Sequence, residues 1–276
     1  MKREPRTTPS PAALAFDRVA TSYDNLFTHT AIGRAQRKQV WPRLLAAFPQ
    51  GSRILELNCG TGEDARFLAG QGRTVLACDA SAAMVEVARG HALERDRKFV
   101  QSNLNYCHIA NEDLRSLFVE KPFDGAFSNF SGFNCLTDLG TVASDLARLV
   151  RVDGRLLICL WSRCCVAEVM WFLAHGRFKK AVRRLSGKAT ARLGEMTISV
   201  RYPALREIRE CFSPWFRLTS RKAVGLFVPP AYLERLISKR PKMLARLESL
   251  DRVCTAWPGL RDVGDHMLLE FVRCNP

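Results

Sequence analysis

The sequence predicts an α/β fold in which a mostly parallel sheet carries helices on both faces, and three stretches support that expectation. The first is Arg53 to Leu57, an apolar strand pattern running into the glycine turn Asn58-Cys59-Gly60-Thr61-Gly62 and then into a helical segment from Glu63 to Ala69. The second is the apolar run Thr74 to Cys78, which ends in Asp79, 17 positions past Gly62. The third is the recurrence of strand patterns at Phe123 to Phe130 and Val152 to Cys159 with a helix-length segment between them, the alternation that builds parallel sheets. With 276 residues and 47% hydrophobic content, the chain can bury a sizeable core.

Taken in order, residues 1–11 mix basic residues, threonines and prolines without an apolar signal core and read as a disordered lead-in to a single domain spanning residues 12–276. Residues 12–48 read as a helical cap, with one helix from Ala12 to Leu26 and an amphipathic one from Arg34 to Phe48 that Pro49 and Gly51 end. Residues 49–162 form the ligand-binding half. Within it Val152-Asp153-Gly154-Arg155 reads as a helix-to-strand turn with Gly154 in the left-handed conformation. Residues 163–202 leave the strand–helix pattern and read as a helical lid inserted after the fifth strand. Residues 203–276 complete the sheet with a return helix over Pro203 to Cys211, a strand within Phe216 to Phe227, an amphipathic segment from Tyr232 to Arg252 and a last strand over residues 264–272. No internal repeat interrupts this order.

A glycine turn at a helix N-terminus exposes free backbone N–H groups and lets a ligand approach the chain closely. A dinucleotide fingerprint would place a third glycine within residues 64–66, where none stands, and pyrophosphate would be repelled by Glu56 just before the loop. A nicotinamide-dinucleotide dehydrogenase is thereby disfavoured. The order Glu56-Leu57-Asn58-Cys59-Gly60-Thr61-Gly62 instead resembles motif I of the class I S-adenosylmethionine-dependent methyltransferases, small-molecule type, and later blocks match that family in order up to Trp161.

The resemblance implies a Rossmann-like seven-stranded sheet of order 3-2-1-4-5-7-6 with an antiparallel last strand, and S-adenosyl-L-methionine as cofactor. It implies a cofactor site made of Glu56, Asn58, Cys59, Gly60, Thr61 and Gly62 on the loop, and Asp79 holding the ribose hydroxyls. Ala80 follows, with Ser81 capping a helix and Met84 near the adenine. Asn111, Glu112 and Asp113 resemble the acidic segment against the adenine, although the polar run Gln101 to His108 replaces the usual third strand. Asn129 and Phe130 lie where the family has its active-site floor, and Phe16 and Tyr23 are on the helix that folds over the cofactor.

A sulfonium methyl is already electrophilic, so alignment can suffice for transfer; where a base is needed, His266 and His29 are the candidates, and Asn134 is a further acceptor-side candidate by position. The fourth-strand sequence Ser128-Asn129-Phe130-Ser131 lacks the proline pair that grips exocyclic base amines. The expected acceptor is therefore a small or lipid-like molecule, with nucleic acid disfavoured. The alternatives are an RNA methyltransferase and a non-catalytic nucleotide-binding protein whose basic lid meets membranes or partners.

The net charge of +15 concentrates in residues 177–192, where Phe178, Ala181, Val182 and Leu185 fall at helical spacing and predict an apolar stripe facing inward under a basic outer face. A solvated face, an anionic membrane surface and RNA are the three readings, in that order. The ten cysteines are scattered without metal-ligand spacing, so no metal is expected and the thiols read as reduced. No apolar run approaches the roughly 20 residues of a spanning helix, and the expected location is cytoplasmic.

Overall fold

A computed structural model describes residues 9–94 and 102–275; of the expected disordered lead-in over residues 1–11, residues 1–8 lie outside them, as does the start of the polar run at Gln101, while Ser10 caps and Pro11 opens the first helix. Seven strands form one sheet in the order β3-β2-β1-β4-β5-β9-β8. These are β1 (Arg53–Leu57), β2 (Thr74–Asp79), β3 (Leu104–His108), β4 (Phe123–Ser128), β5 (Val150–Trp161), β8 (Phe216–Val224) and β9 (His266–Arg273). Strands β6 (Lys188–Leu193) and β7 (Met196–Arg201) form a separate antiparallel hairpin. Set that hairpin aside and the order is the expected one, with β9 antiparallel to both neighbours.

Alternation along the central strands divides the core in two. On one face Leu55 and Leu57 pack with Val142 and Leu146 of α5 (Leu139–Leu149) and with Ile208 and Phe212 of α7 (Leu205–Phe212). On the other, Ile54, Phe127 and Leu157 pack under α2 (Ala31–Ala47) and α3 (Glu63–Gly70), with Val40, Leu44 and Leu68 facing them. Burial on both faces is why these strands read as continuous apolar runs.

Helix α1 (Pro11–Val19) and α4 (Ala82–Glu94) pack against each other at the carboxyl edge of the sheet. Glu234 caps α2 from across the chain, its carboxylate accepting from the N–H groups of Ala31 and Ile32 at 2.8 and 3.0 Å.

Three expectations change. The polar run before the acidic segment does form the third strand, pairing in parallel from Val75 opposite Leu104 to Asp79 opposite His108. As the sheet's edge it needs a partner on one side only, so polar residues can occupy it. Gly154 is not left-handed; Asp153 is, at φ 62°. Gly154 is required for close approach instead, since a Cβ there would lie 2.8 Å from the Asp124 carbonyl oxygen.

The insertion after β5 holds α6 (Val166–Ala174), two short turns and the hairpin. Its basic segment does not turn an apolar stripe inward. The helix breaks after Ala181, leaving Phe178, Val182 and Leu185 more than half exposed, while Arg184 is drawn inside by Glu168 and Asp265. A buried pair of carboxylates outweighs the pull of three apolar side chains, because an unpaired buried charge costs more.

Gly125 lies mid-strand in β4, where a Cβ would meet the Arg155 carbonyl oxygen at 2.4 Å and the Phe48 ring at 2.5 Å. Gly125→Ala is expected to destabilise the protein by about 1–3 kcal/mol. Urea denaturation of the two proteins measures this directly.

Candidate active site

Every parallel strand delivers its carboxyl end to one edge of the sheet, and a cavity of about 340 Å³ opens there. Its polar floor begins with the loop after β1. Gly60 and Gly62 take left-handed backbones, at φ 54° and 77°. Gly62 also allows close packing, for a Cβ would strike the Tyr106 hydroxyl at 2.4 Å. Asn58 is left-handed too, at φ 56°, a conformation a short amide side chain tolerates. Its Oδ1 accepts from Asn111 Nδ2 and from Ser128 Oγ, both at 3.0 Å, which ties the ends of β1 and β4 to the segment after β3.

Asp79 ends β2 with each oxygen held by one backbone donor: Oδ2 accepts from Gly60 N–H and Oδ1 from Ser81 N–H, both at 2.8 Å. Each oxygen keeps lone-pair capacity toward the cavity. Burial raises this carboxyl's pKa, and the two N–H donors work against that rise. Ser81 Oγ accepts from Met84 N–H at 3.1 Å, so it caps α4. The same hydroxyl donates to Asp17 at 2.6 Å, and Asp17 also accepts from Ala83 N–H at 3.0 Å. Asp17 thus fastens the N-terminal helix across the cavity. Phe16, Tyr23 and Phe27 form its roof.

The other predicted residues divide by geometry. Ala80, Met84, Glu112 and Phe130 line the cavity with Tyr23, Asn58, Gly60, Asp79 and Asn111. Glu56 does not. It lies buried on β1 beneath α2 and α3, where burial first and Asp64 second push its carboxyl well above the ordinary range. Thr61 is buried and donates to Asp24 at 2.6 Å, and Cys59 is buried with its thiol pushed up by burial. Asp113 lies outside the cavity lining. Asn129 donates to Asp64 at 2.9 Å. Asn134 joins the site's wall to the hairpin, accepting from Trp161 N–H at 2.8 Å and donating to the Arg201 carbonyl at 2.7 Å.

The two histidines differ sharply. His29 is exposed after the turn of Asp24–Thr28 and reaches neither cavity nor cleft. His266 is buried and lines a second cleft of about 580 Å³ that adjoins the cavity through Phe130, Ser131 and Trp161. Its ring stands edge-on to Phe130 with centroids 5.5 Å apart, and Nδ1 is 3.4 Å from Asp265. Burial lowers its pKa to about 4, Asp265 opposing and Arg184 assisting. Phe130 and Ser131 leave β4 with left-handed backbones, at φ 49° and 76°, which turns the chain under this cleft.

Asp17 and Asp265 were not among the sequence-predicted site residues. Nothing local marks Asp17, whose partner lies 64 positions away. Asp265, by contrast, carried a readable signal as an acidic residue opening a strand beside a histidine.

Residues 54–154 match the family model described as a methyltransferase domain. A demethylmenaquinone methyltransferase of Clavibacter sepedonicus is 30% identical over 154 residues, covering 56% of this chain and 59% of the relative. A tRNA 5-carboxymethoxyuridine methyltransferase of Escherichia coli K12 is 32% identical over 165 residues, covering 58% and 57%. The match thus spans somewhat under two thirds of these relatives' length. The solved structure of a geranyl diphosphate C-methyltransferase from Streptomyces coelicolor shares the fold at a TM-score of 0.54 and 14% identity, covering 86% of this chain and 78% of that one. Residues 54–154 are thus similar in sequence to a methyltransferase domain, and the chain shares the fold of solved S-adenosylmethionine-dependent methyltransferases.

Because the folded pKa of His266 lies below the ordinary 6.5, the unfolded chain binds that proton first as pH falls. The residue therefore removes stability between pH 6.5 and about 4. Thermal unfolding of His266→Gln should show a shallower loss of stability across that window than the parent protein. Equal slopes would mean that the imidazole is not held neutral.

Proposed function

We propose that the protein transfers a methyl group from S-adenosylmethionine to a small or lipid-like acceptor seated in the cleft beside the cavity. The observation that carries this reading is Asp79, whose two oxygens are each pre-oriented by one backbone N–H and each left able to accept a further hydrogen bond. That donor-poor, acceptor-rich end of β2 suits the two hydroxyls of a ribose. Asn111 and Glu112 offer polar groups on the adjacent wall, and Met84 an apolar surface for a base.

When bound, S-adenosylmethionine supplies an electrophilic methyl on a sulfonium centre. The chain's part is to bind, orient and exclude water. Phe16, Tyr23 and Phe27 roof the cavity, and Phe130 and Trp161 stand between it and the cleft. His266 is neutral at physiological pH and can accept a proton, but a pKa near 4 makes it a weak base. Alignment therefore carries most of the rate. The roofed, aromatic setting supports a small acceptor over a polynucleotide.

The lid also bears on location. Met170, Phe178, Val182 and Leu185 are exposed beside Arg177, Lys179 and Lys180, a combination suited to an anionic bilayer surface. Among the described residues, no helix is long and apolar enough to cross a membrane. Phosphatidylglycerol vesicles should co-sediment the protein where phosphatidylcholine vesicles do not, and Met170→Asp with Phe178→Asp should abolish this. Recovery of the protein in the supernatant with both lipids would remove the surface contact from the reading.

Calorimetric titration tests the cofactor. S-adenosylmethionine and S-adenosylhomocysteine should bind, NAD should not, and Asp79→Ala should weaken both by about tenfold to a hundredfold, the value of hydrogen bonds to a charged group at about 1.5–3 kcal/mol. Binding of NAD alone, or of none of the three, would overturn the assignment.

A further inference from the structure

The cleft next to the cavity has an aromatic floor and an unbalanced charge. Phe130, Trp161 and Tyr202 line it, with Trp161 and Tyr202 ring centroids 6.2 Å apart. Four cationic side chains also line it: Lys180, Arg183, Arg184 and Arg192. Two carboxylates answer them. Glu168 lies behind the wall and pairs with Arg183 at 2.9 Å and with Arg184 at 2.7 Å, while Asp265 pairs with Arg184 at 2.8 Å. His266 adds no charge at neutral pH.

Both carboxylates are therefore committed to the two arginines, and a surplus of two positive charges remains. Among the described residues, no ion pair is made by Lys180 or Arg192. Lys180 Nζ stands 6.0 Å from the Phe172 ring centroid, and Arg192 donates through Nε to the Gly194 carbonyl at 3.1 Å. The two come from different elements, Lys180 from the turn after α6 and Arg192 from β6, and both line this cleft. Arg192 also reaches the lining of the first cavity, so the positive rim faces the junction where a methyl group would pass.

An acceptor that was wholly apolar would fit the floor and leave this rim unpaired; a zwitterion, with no net charge, would leave the surplus as it stands. We propose that the acceptor is a flat apolar molecule carrying an acidic group, a carboxylate or a phosphate, with its ring on Phe130, Trp161 and Tyr202 and its anionic oxygens on Lys180 and Arg192. The assignment rests on the methyltransferase reading for the word acceptor, but the anion preference of the cleft does not. Charge-assisted hydrogen bonds to two cations are worth roughly a tenfold or greater gain in affinity over a neutral analogue.

The test uses three matched probes, 1-naphthoate, 1-naphthyl phosphate and neutral 1-naphthamide, titrated calorimetrically into the full chain with and without saturating S-adenosylhomocysteine. One or both anions should bind at least about tenfold more tightly than the amide, and whichever anion binds better identifies the acid class. Lys180→Met, at a residue that lines the cleft and not the cavity, should weaken that preference while leaving the affinities for 1-naphthamide and S-adenosylhomocysteine unchanged, and adding Arg192→Met should remove it. Equal binding of all three probes would overturn the proposal, as would no binding of any. Loss of S-adenosylhomocysteine affinity in Lys180→Met would overturn it too, since that cation would then serve the cofactor's own carboxylate. Failure of S-adenosylhomocysteine to bind the parent protein would sink the methyltransferase reading alone, and the probe preference without it would still decide the cleft.

Discussion

One buried carboxylate, Asp64 in the first turn of α3, holds together the elements that the site is built from. It accepts from Trp41 Nε1 at 2.5 Å and from Arg37 at 3.3 Å on α2, and from Asn129 at 2.9 Å just past β4. Three groups from two other elements thus converge on the helix that the glycine loop opens. Arg37 in turn lies over the rings of Phe27 and Phe130, at 5.2 and 5.0 Å, so one end of this network touches the roof of the cavity and the wall of the cleft. A charge with three donors in a buried setting is satisfied; remove any of them and the remainder bears the desolvation cost. The position that would carry the third glycine of a dinucleotide fingerprint falls beside this same network. The site exchanges a pyrophosphate-binding loop for an internal anchor.

The cap over the cavity is secured by the same kind of contact at its far end. Asp17 docks α1 onto the start of α4, and Asp24 receives the Thr61 hydroxyl from the loop. Two carboxylates from the cap therefore bind groups next to Asp79 and Gly60, residues that line the cavity. The cavity lining and the docking of the cap thus share neighbours. The left-handed backbones at Asn58, Phe130 and Ser131 belong to this arrangement, since all three line the cavity. Strained residues gathered at one edge of an otherwise regular sheet mark where geometry serves binding rather than stability.

Charge placement in the lid follows from a comparison of costs. Glu168 and Asp265 are both buried, and only Arg184 can neutralise them together, so it turns inward and the chain around it breaks from the helical pattern. The apolar neighbours Phe178, Val182 and Leu185 are left outside as a result. A single inward arginine accounts both for the exposed apolar surface and for the free cations at the cleft.

Much of this molecule was legible in the chain itself. The strand–loop–helix of residues 53–69 and the acidic end of β2 follow from apolar periodicity and glycine positions, which are local properties, and local steric rules act on neighbours in sequence; the antiparallel last strand was implied by the family resemblance. The cavity-lining places of Gly60 and Asp79 were readable for the same reason, and that of Met84 was implied by the family resemblance. Leu104 to His108 was not recognisable as a strand, because an edge strand draws its stability from β2 and carries no apolar signature of its own. Nor was the inward turn of Arg184, or the grip of Asp17 on Ser81 and of Asp64 on Arg37, Trp41 and Asn129. Those depend on which distant carboxylate ends up buried, and burial is settled by the packing of elements far apart in the chain. Sequence alone determined the apolar strands and the glycine loop, and its family resemblance implied the sheet order; tertiary structure alone decided which charges are consumed internally and which remain free for a ligand.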